Sequence, residues 1–383
     1  MNIRKIDETM QFIKSLYPDK IPVPLHAPRF LGNEKKYLLE CIDTTYVSYV
    51  GDFVIDFEEH IKNLTGARYA VAMVNGTAAI HMLLTAAGIG AGDEVITQTL
   101  TFAATAAGIK HSQAEPAFVD VDMETLGMSP ESLRAYLCAT AERDSRGLFN
   151  KTNGRRISAV MPMHTFGHPV KIDEIAAVCE EYNIPLFEDA AESLGSKYKG
   201  NHTGTFGKAA VISFNGNKPV TTGGGGMVIT DDEELASRIR HISTTAKRKH
   251  RWEFYHDEVG YNLRLPNLNA AVGCAQMEYF DQILMNKRET ASRYESFFKS
   301  QGTAFFTEPP ESDSNYWLNA IILRDRAERD AFLEYSNDHG VQTRPVWTLL
   351  HKLPPYINCP RSKVDNAEWL EDRVVNIPSG VRI

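Results

Sequence analysis

Ser213-Phe214-Asn215-Gly216-Asn217-Lys218 sets a hydroxyl and an amine five residues apart, after an apolar run and ahead of four consecutive glycines, Gly223 to Gly226. The hydroxyl can hydrogen-bond a phosphate while the amine reaches a carbonyl carbon. A solvated glycine loop with an incidental lysine is a competing reading, and a nucleotide-phosphate loop is a third. The run matches neither G-x-x-x-x-G-K-[ST] nor a G-x-G-x-x-G between strand and helix. Upstream, Val74-Asn75-Gly76-Thr77-Ala78-Ala79 joins an apolar run to a helical pattern. Glycine permits the tight turn, Thr77 offers a hydroxyl, and the first helical turn offers free N–H groups, a combination suited to an anion. Thr77 acting only as an N-cap accounts for the same residues. The third signal is Leu186-Phe187-Glu188-Asp189-Ala190-Ala191-Glu192-Ser193. Asp189, just past an apolar strand, can hold a protonated ring nitrogen by opposite charge, or it can cap a following helix.

Such residues need elements to hold them. Short apolar runs predict strands at 69–74, 94–97, 116–119, 158–163, 184–188, 209–214 and 227–230, with helices at 77–87 and 171–181. This alternation predicts an α/β fold with a mainly parallel sheet between helices, whose carboxyl ends are where ligands bind. The polar stretch 139–156 reads as an exposed excursion. Apolar residues Leu268, Val272, Ala275, Tyr279 and Ile283, spaced by three or four, predict a long helix over 267–300. Two domains are expected: 1–265, a large ligand-binding unit including the N-terminal segment, and 266–383, an interdomain helix with a smaller α+β unit. The first 25 residues and 46–57 carry no clear pattern.

Composition narrows the function classes. A chain of 383 residues with net charge −8 has room for a large core but no basic face for nucleic acid. Its five scattered cysteines form neither a disulfide framework nor a zinc motif, and no metal site is expected. There is no leader-like start and no apolar run long enough for a bilayer, so a soluble, cytoplasmic protein is expected.

A phosphate cradle, a carboxylate, a serine and a lysine at the strand ends of one α/β domain supply each contact that pyridoxal phosphate needs. On Gly76-Thr77-Ala78-Ala79, Asp189-Ala190-Ala191-Glu192 and Ser213-Phe214 with Lys218, the chain resembles the DegT/StrS family of sugar aminotransferases. That family has the type I, aspartate-aminotransferase-like fold, and the resemblance runs from residues 22–30 to Ile377-Pro378-Ser379. Residues 24–51 and 250–269 look most like the subgroup that aminates nucleotide-linked 4-keto-6-deoxy sugars towards bacillosamine and legionaminic acid.

The resemblance implies roles. Lys218 would carry the cofactor as a Schiff base and, once freed by the amino donor, move the proton. Asp189 would pair with the pyridine nitrogen, making the ring an electron sink. Glu192 would lie beside the ring's phenolic oxygen, Phe102 would stack on its face, and Gly76, Thr77 and Ser213 would hold the phosphate. Asn262, in Gly260-Tyr261-Asn262-Leu263-Arg264, resembles a position that reaches a neighbouring subunit's cofactor phosphate, which implies a homodimer with shared active sites. His164, Asn217 and Arg344 are the main candidate contacts to a nucleotide sugar; His250, Trp252, Arg264, Tyr316 and His351 are further ones. Gly224 departs from the pattern, standing where the commonest family form has glutamate.

The expected reaction transfers an amino group from glutamate to UDP-2-acetamido-4-keto-2,6-dideoxyhexose, giving a 4-amino sugar for surface glycans. Alternatives are a GDP-linked 4-keto sugar, as in perosamine formation, or a non-catalytic sensor that binds pyridoxal phosphate. The related dehydratase branch has histidine at the position of Lys218, which argues against that chemistry.

Overall fold

In the computed structural model, which describes residues 3–145 and 147–382, the apolar runs become one continuous sheet. Its strands are β1 (Tyr69–Met73), β2 (Asp93–Gln98), β3 (Glu115–Val119), β4 (Arg156–Val160), β5 (Phe187–Asp189), β6 (Ala209–Ser213) and β7 (Gly226–Thr230). The spatial order is β1-β7-β6-β5-β4-β2-β3, with β4 and β5 joined by the parallel bridges Val160 to Leu186 and Met163 to Asp189. Only β7 runs antiparallel to its neighbours. All six residues of β2 and all five of β7 are buried, as expected for strands covered by helices on both faces.

The parallel direction brings the carboxyl ends of β1, β2, β5 and β6 to one edge, so the segments that follow them meet there. The glycine run makes this edge possible. Gly223 takes φ +81°, and a Cβ at Gly226 would lie 2.4 Å from the Asn75 carbonyl carbon. The start of β7 therefore packs against the turn after β1 with no room for a side chain.

Three expectations are corrected by the packing. The stretch 139–156 is partly structured: the hairpin Ala141–Asp144/Gly147–Asn150 pairs through Phe149 with Arg156. Its anchor is Glu94, fully buried, which accepts from Tyr136 Oη (2.9 Å) and from the side-chain amides of Asn150 (3.0 Å) and Asn153 (2.8 Å). The helix expected over 267–300 is two helices, Asn267–Met277 and Phe280–Gln301. The first packs on the helices Glu34–Asp43 and Asp52–Thr65, while the second carries Tyr294 and Phe298 into a separate core, so the chain must change direction between them. Periodicity cannot register this, because the apolar spacing continues across the bend. Finally, the N-terminal helix Ile3–Leu16 buries Ile6, Met10, Ile13 and Leu16 against Tyr294, Phe298, Phe332 and Val375. The first residues thus pack with the smaller unit, whose antiparallel sheet has the order Ala304–Phe305, Asn319–Ile322, Val374–Ile377, Arg344–Pro345.

Arg264, a candidate sugar contact, has a structural partner instead. It is 7% exposed, and its Nη2 donates to Glu58 Oε1 at 2.7 Å. Glu58 also accepts from Ala72 N (2.8 Å) and Arg240 Nη2 (2.9 Å), tying the helix Asp52–Thr65 to β1 and to the helix Glu233–Ile242. Removing one partner of a buried pair leaves the other charge uncompensated. Glu58→Ala should therefore lower unfolding free energy by about 3–5 kcal/mol, read from denaturant midpoints. An unchanged midpoint would show that the Glu58 network does not hold these elements together.

Candidate active site

The carboxyl edge of the sheet opens into a cavity of about 540 Å³ between the two units. Gly76, Thr77, Phe102, Asp189, Glu192, Ser213, Asn217, Lys218 and Arg344 all line it. One end is a cradle. The helix Gly76–Ala86 begins there, capped by Asn75, whose Oδ1 accepts from Ala78 N at 2.8 Å. Asn75, not Thr77, is the N-cap, which leaves Thr77 in the first turn beside the free N–H groups. Gly76 sits tightly against Ser213: a Cβ there would lie 3.3 Å from Ser213 Cβ. Backbone N–H groups, the helix dipole and a serine together suit a phosphate.

Asp189 lies deeper, at the end of β5 and 3% exposed. Its Oδ2 accepts from Thr105 Oγ1 at 2.7 Å and its Oδ1 from Ala191 N at 3.1 Å. Turns rather than a helix follow it, so the helix-capping reading of Asp189 is overturned. Burial pushes its pKa up, against the hydrogen bonds from Thr105 and Ala191 and the nearby Lys218. A carboxylate this deep gains from a cationic partner.

Lys218 crosses the cavity from the loop after β6. Its Nζ donates to Glu192 Oε1 at 3.3 Å and stands 3.5 Å from the centroid of the Trp317 ring. Burial lowers the lysine's pKa, against the attraction of Glu192 and Asp189. It also raises that of Glu192 to about 7, against Lys218 and the N–H of Phe166. Phe166 donates that N–H to Glu192 Oε2 at 2.9 Å from a left-handed backbone (φ 57°), which non-glycine residues rarely adopt. Phe102 is 53% exposed although it lines the cavity, so its ring face is available to a planar ligand. Cradle, deep carboxylate, amine and free aromatic face match the phosphate, ring nitrogen, aldehyde carbon and ring of pyridoxal phosphate.

Several expected contacts lie elsewhere. His164 is fully buried, with Nε2 3.0 Å from Glu188 Oε2 and Nδ1 accepting from Val170 N at 3.2 Å, so it supports the wall and does not line the cavity. Tyr316 accepts from Glu308 N through its hydroxyl, and His351 Nδ1 lies 2.7 Å from Thr99 Oγ1; neither lines the cavity. His250 and Trp252 are exposed and contact one another edge to face. Asn262 is exposed and does not line its own chain's cavity. A Cβ at Gly224 would meet nothing closer than 3.9 Å, so a side chain has room there and sterics do not demand the glycine.

Sequence reading missed Thr105, Trp317, Trp347 and Leu25, which also line the cavity. Thr105 lies in the first turn of the helix Ala103–His111 and is hydrogen-bonded to Thr101, just before that helix, at 2.8 Å. The others come from the smaller unit and the N-terminal segment, and nothing local marks them.

A model of the DegT/DnrJ/EryC1/StrS aminotransferase family matches residues 30–383. The chain is 37% identical over 357 residues to GDP-perosamine synthase of Escherichia coli O157:H7, covering 93% of each chain. It is 33% identical over 362 residues to GDP-perosamine synthase of Caulobacter vibrioides, again covering 93% of each. A solved DegT DnrJ EryC1 StrS aminotransferase from Brucella abortus superimposes with a TM-score of 0.83 at 26% identity, covering 91% of this chain and 90% of that one.

The raised pKa of Glu192 has a measurable consequence. Its folded value of about 7 lies above the ordinary 4.5, so the native state holds a proton that the unfolded chain has released between those values. Stability from this group is fully present below the ordinary value and is lost as pH rises through about 7. Without added cofactor, Glu192→Gln should flatten the fall in denaturant midpoint between about pH 5 and about pH 8. Identical profiles for the two proteins would refute this.

Proposed function

This chain belongs to the DegT/DnrJ/EryC1/StrS aminotransferase family and is a pyridoxal-phosphate-dependent sugar-nucleotide aminotransferase; within that activity we propose that its substrate is a GDP-linked 4-keto-6-deoxy sugar. Glutamate would supply the amino group, and the product would be the 4-amino sugar of a surface glycan. The observation that carries this reading is the similarity over 93% of the chain to two proteins named GDP-perosamine synthase. It favours the GDP-linked alternative over the UDP-2-acetamido sugar expected from residues 24–51 and 250–269.

Bound pyridoxal phosphate supplies a carbonyl carbon for amines and a ring that accepts an electron pair. The residues of this chain do the rest. Lys218 would hold the cofactor covalently, then act as the base that takes a proton from the donor's carbon and returns one to the cofactor carbon. Burial favours the neutral amine required for the first of these tasks. Asp189 would keep the ring nitrogen protonated, with Thr105 and the Ala191 N–H fixing both its oxygens. Glu192 would face the phenolic oxygen, Phe102 the ring, and Gly76, Thr77 and Ser213 the phosphate. Asn217 and Arg344 at the cavity wall are the remaining candidates for the nucleotide sugar; Arg344 Nη1 is braced by Asn337 Oδ1 at 3.0 Å.

We also propose a homodimer in which Asn262 reaches the partner's cradle. In support, the segment just before it exposes Trp252, Phe254, Tyr255 and Val259, and Leu39, Ile42, Tyr46 and Val50 are exposed as well. Exposed apolar residues gathered in these two segments are what a subunit contact would cover, and a two-fold contact would make the sharing reciprocal.

With glutamate as donor and a panel of GDP-, UDP- and dTDP-linked 4-keto sugars, mass spectrometry should find the amino product chiefly from the GDP sugar. Preferential amination of a UDP-acetamido sugar would overturn the assignment. For the shared site, mixing inactive Lys218→Ala and Asn262→Arg chains should restore part of the activity, since a mixed dimer places both defects in one site and neither in the other. Absence of rescue after verified subunit exchange would place Asn262 outside the partner's site.

A further inference from the structure

Lys218 has two lives in the proposed reaction: joined to the cofactor, and free while the donor occupies its place. In the second it must stay within reach of the donor's carbon and take the charge that comes with a proton. The structure contains a place built for it. Lys218 Nζ stands 3.5 Å from the centroid of the Trp317 ring, with Glu192 Oε1 at 3.3 Å as its other partner.

Trp317 arrives from the smaller unit and is 4% exposed, and each of its polar groups is fixed. Its indole N–H donates to the Asn217 carbonyl at 2.7 Å, the peptide group that leads into Lys218. Its backbone N–H donates to Asn315 Oδ1 at 2.7 Å, and the Asn315 amide in turn donates to the Glu192 carbonyl at 2.9 Å. Its own carbonyl accepts from Lys287 Nζ at 3.1 Å. Lys287 is 1% exposed, and its Nζ meets neutral groups among the described residues: the carbonyls of Trp317 and Ser379 (2.7 Å) and His26 Nε2 (3.1 Å). Trp317 is thus tied to the Lys218 side through its indole and, through Asn315, to the backbone of Glu192. A tryptophan needed only for packing would not require its face to lie under the amine.

We propose that Trp317 is a catalytic residue that holds the freed Lys218 as an ammonium ion against its ring face. When the lysine takes the proton, the donor's C–H bond breaks, an N–H bond forms, and the electron pair stays on carbon for the cofactor ring to accept. The positive charge that appears on nitrogen lies over the electron-rich face of the indole, where it is attracted. Glu192 completes the site from the side, and Lys287 with His26 holds the tryptophan from behind. The return of the proton reverses the same change. This inference rests on Lys218 being the lysine that carries the cofactor.

Tryptophans bearing one, two and three ring fluorines, placed site-specifically at position 317, keep the shape but weaken the charge on the ring face step by step. The half-reaction with glutamate should slow in the same order, by roughly tenfold at three fluorines, an amount that corresponds to about 1.4 kcal/mol, while the KM for glutamate stays within about twofold. In cofactor-free protein, the pKa of Lys218, read by NMR of isotopically methylated lysine, should fall in step. Trp317→Leu should lose both effects together, and the fluorinated series keeps the test valid if that variant folds poorly. Rates and pKa values independent of fluorination would overturn the proposal. Borohydride labelling separates it from its premise. A cofactor fixed on Lys218 with no fluorine trend removes Trp317 alone, whereas a label on another lysine removes both.

Discussion

An amine buried among carboxylates is the constraint to which the surrounding structure answers. A lone buried charge costs several kcal/mol, and a pair is tolerated only when each member is held and its remaining hydrogen-bonding sites are satisfied. Here Lys218 faces Glu192, with Asp189 close behind, and burial shifts all three towards their neutral forms. Proton transfer needs groups so poised, because a lysine kept firmly ionised at its ordinary pKa could not act as a base near neutrality. The elements around the cavity hold this cluster together, with Lys218 Nζ 3.3 Å from Glu192 Oε1.

The parallel sheet does most of that work through direction alone. β1, β2, β5 and β6 all end at one edge, so Gly76, Phe102, Asp189 and Lys218 converge although more than a hundred residues separate the first from the last. β7 runs between β1 and β6 in the opposite direction, and its close approach to the turn after β1 sets the cradle beside Ser213. A strained Phe166 supplies one N–H to Glu192. Strain is tolerated there because the surrounding hydrogen bonds overdetermine the backbone.

The smaller unit forms part of the cavity wall. It delivers Trp317, Trp347 and Arg344 to the cavity, and the N-terminal segment adds Leu25. The N-terminal helix Ile3–Leu16 packs on the smaller unit's core.

Much of this was legible in the sequence because it is local. Strand–turn–helix junctions, a serine and a lysine at fixed spacing, and a carboxylate at a strand end depend on neighbouring residues, whose chemistry can be read in order. The α/β class follows from the same alternation of apolar runs. Other features depend on which distant segments meet, and only the tertiary structure decided them. His164 reads as a ligand contact until Glu188 is found beside it, and Arg264 does so until Glu58 is found. Trp317 carries no local mark at all, since its place beneath Lys218 exists only where the two units close on each other. Spacing along a chain records what the backbone can form, whereas burial and charge pairing record what else arrives at the same point in space.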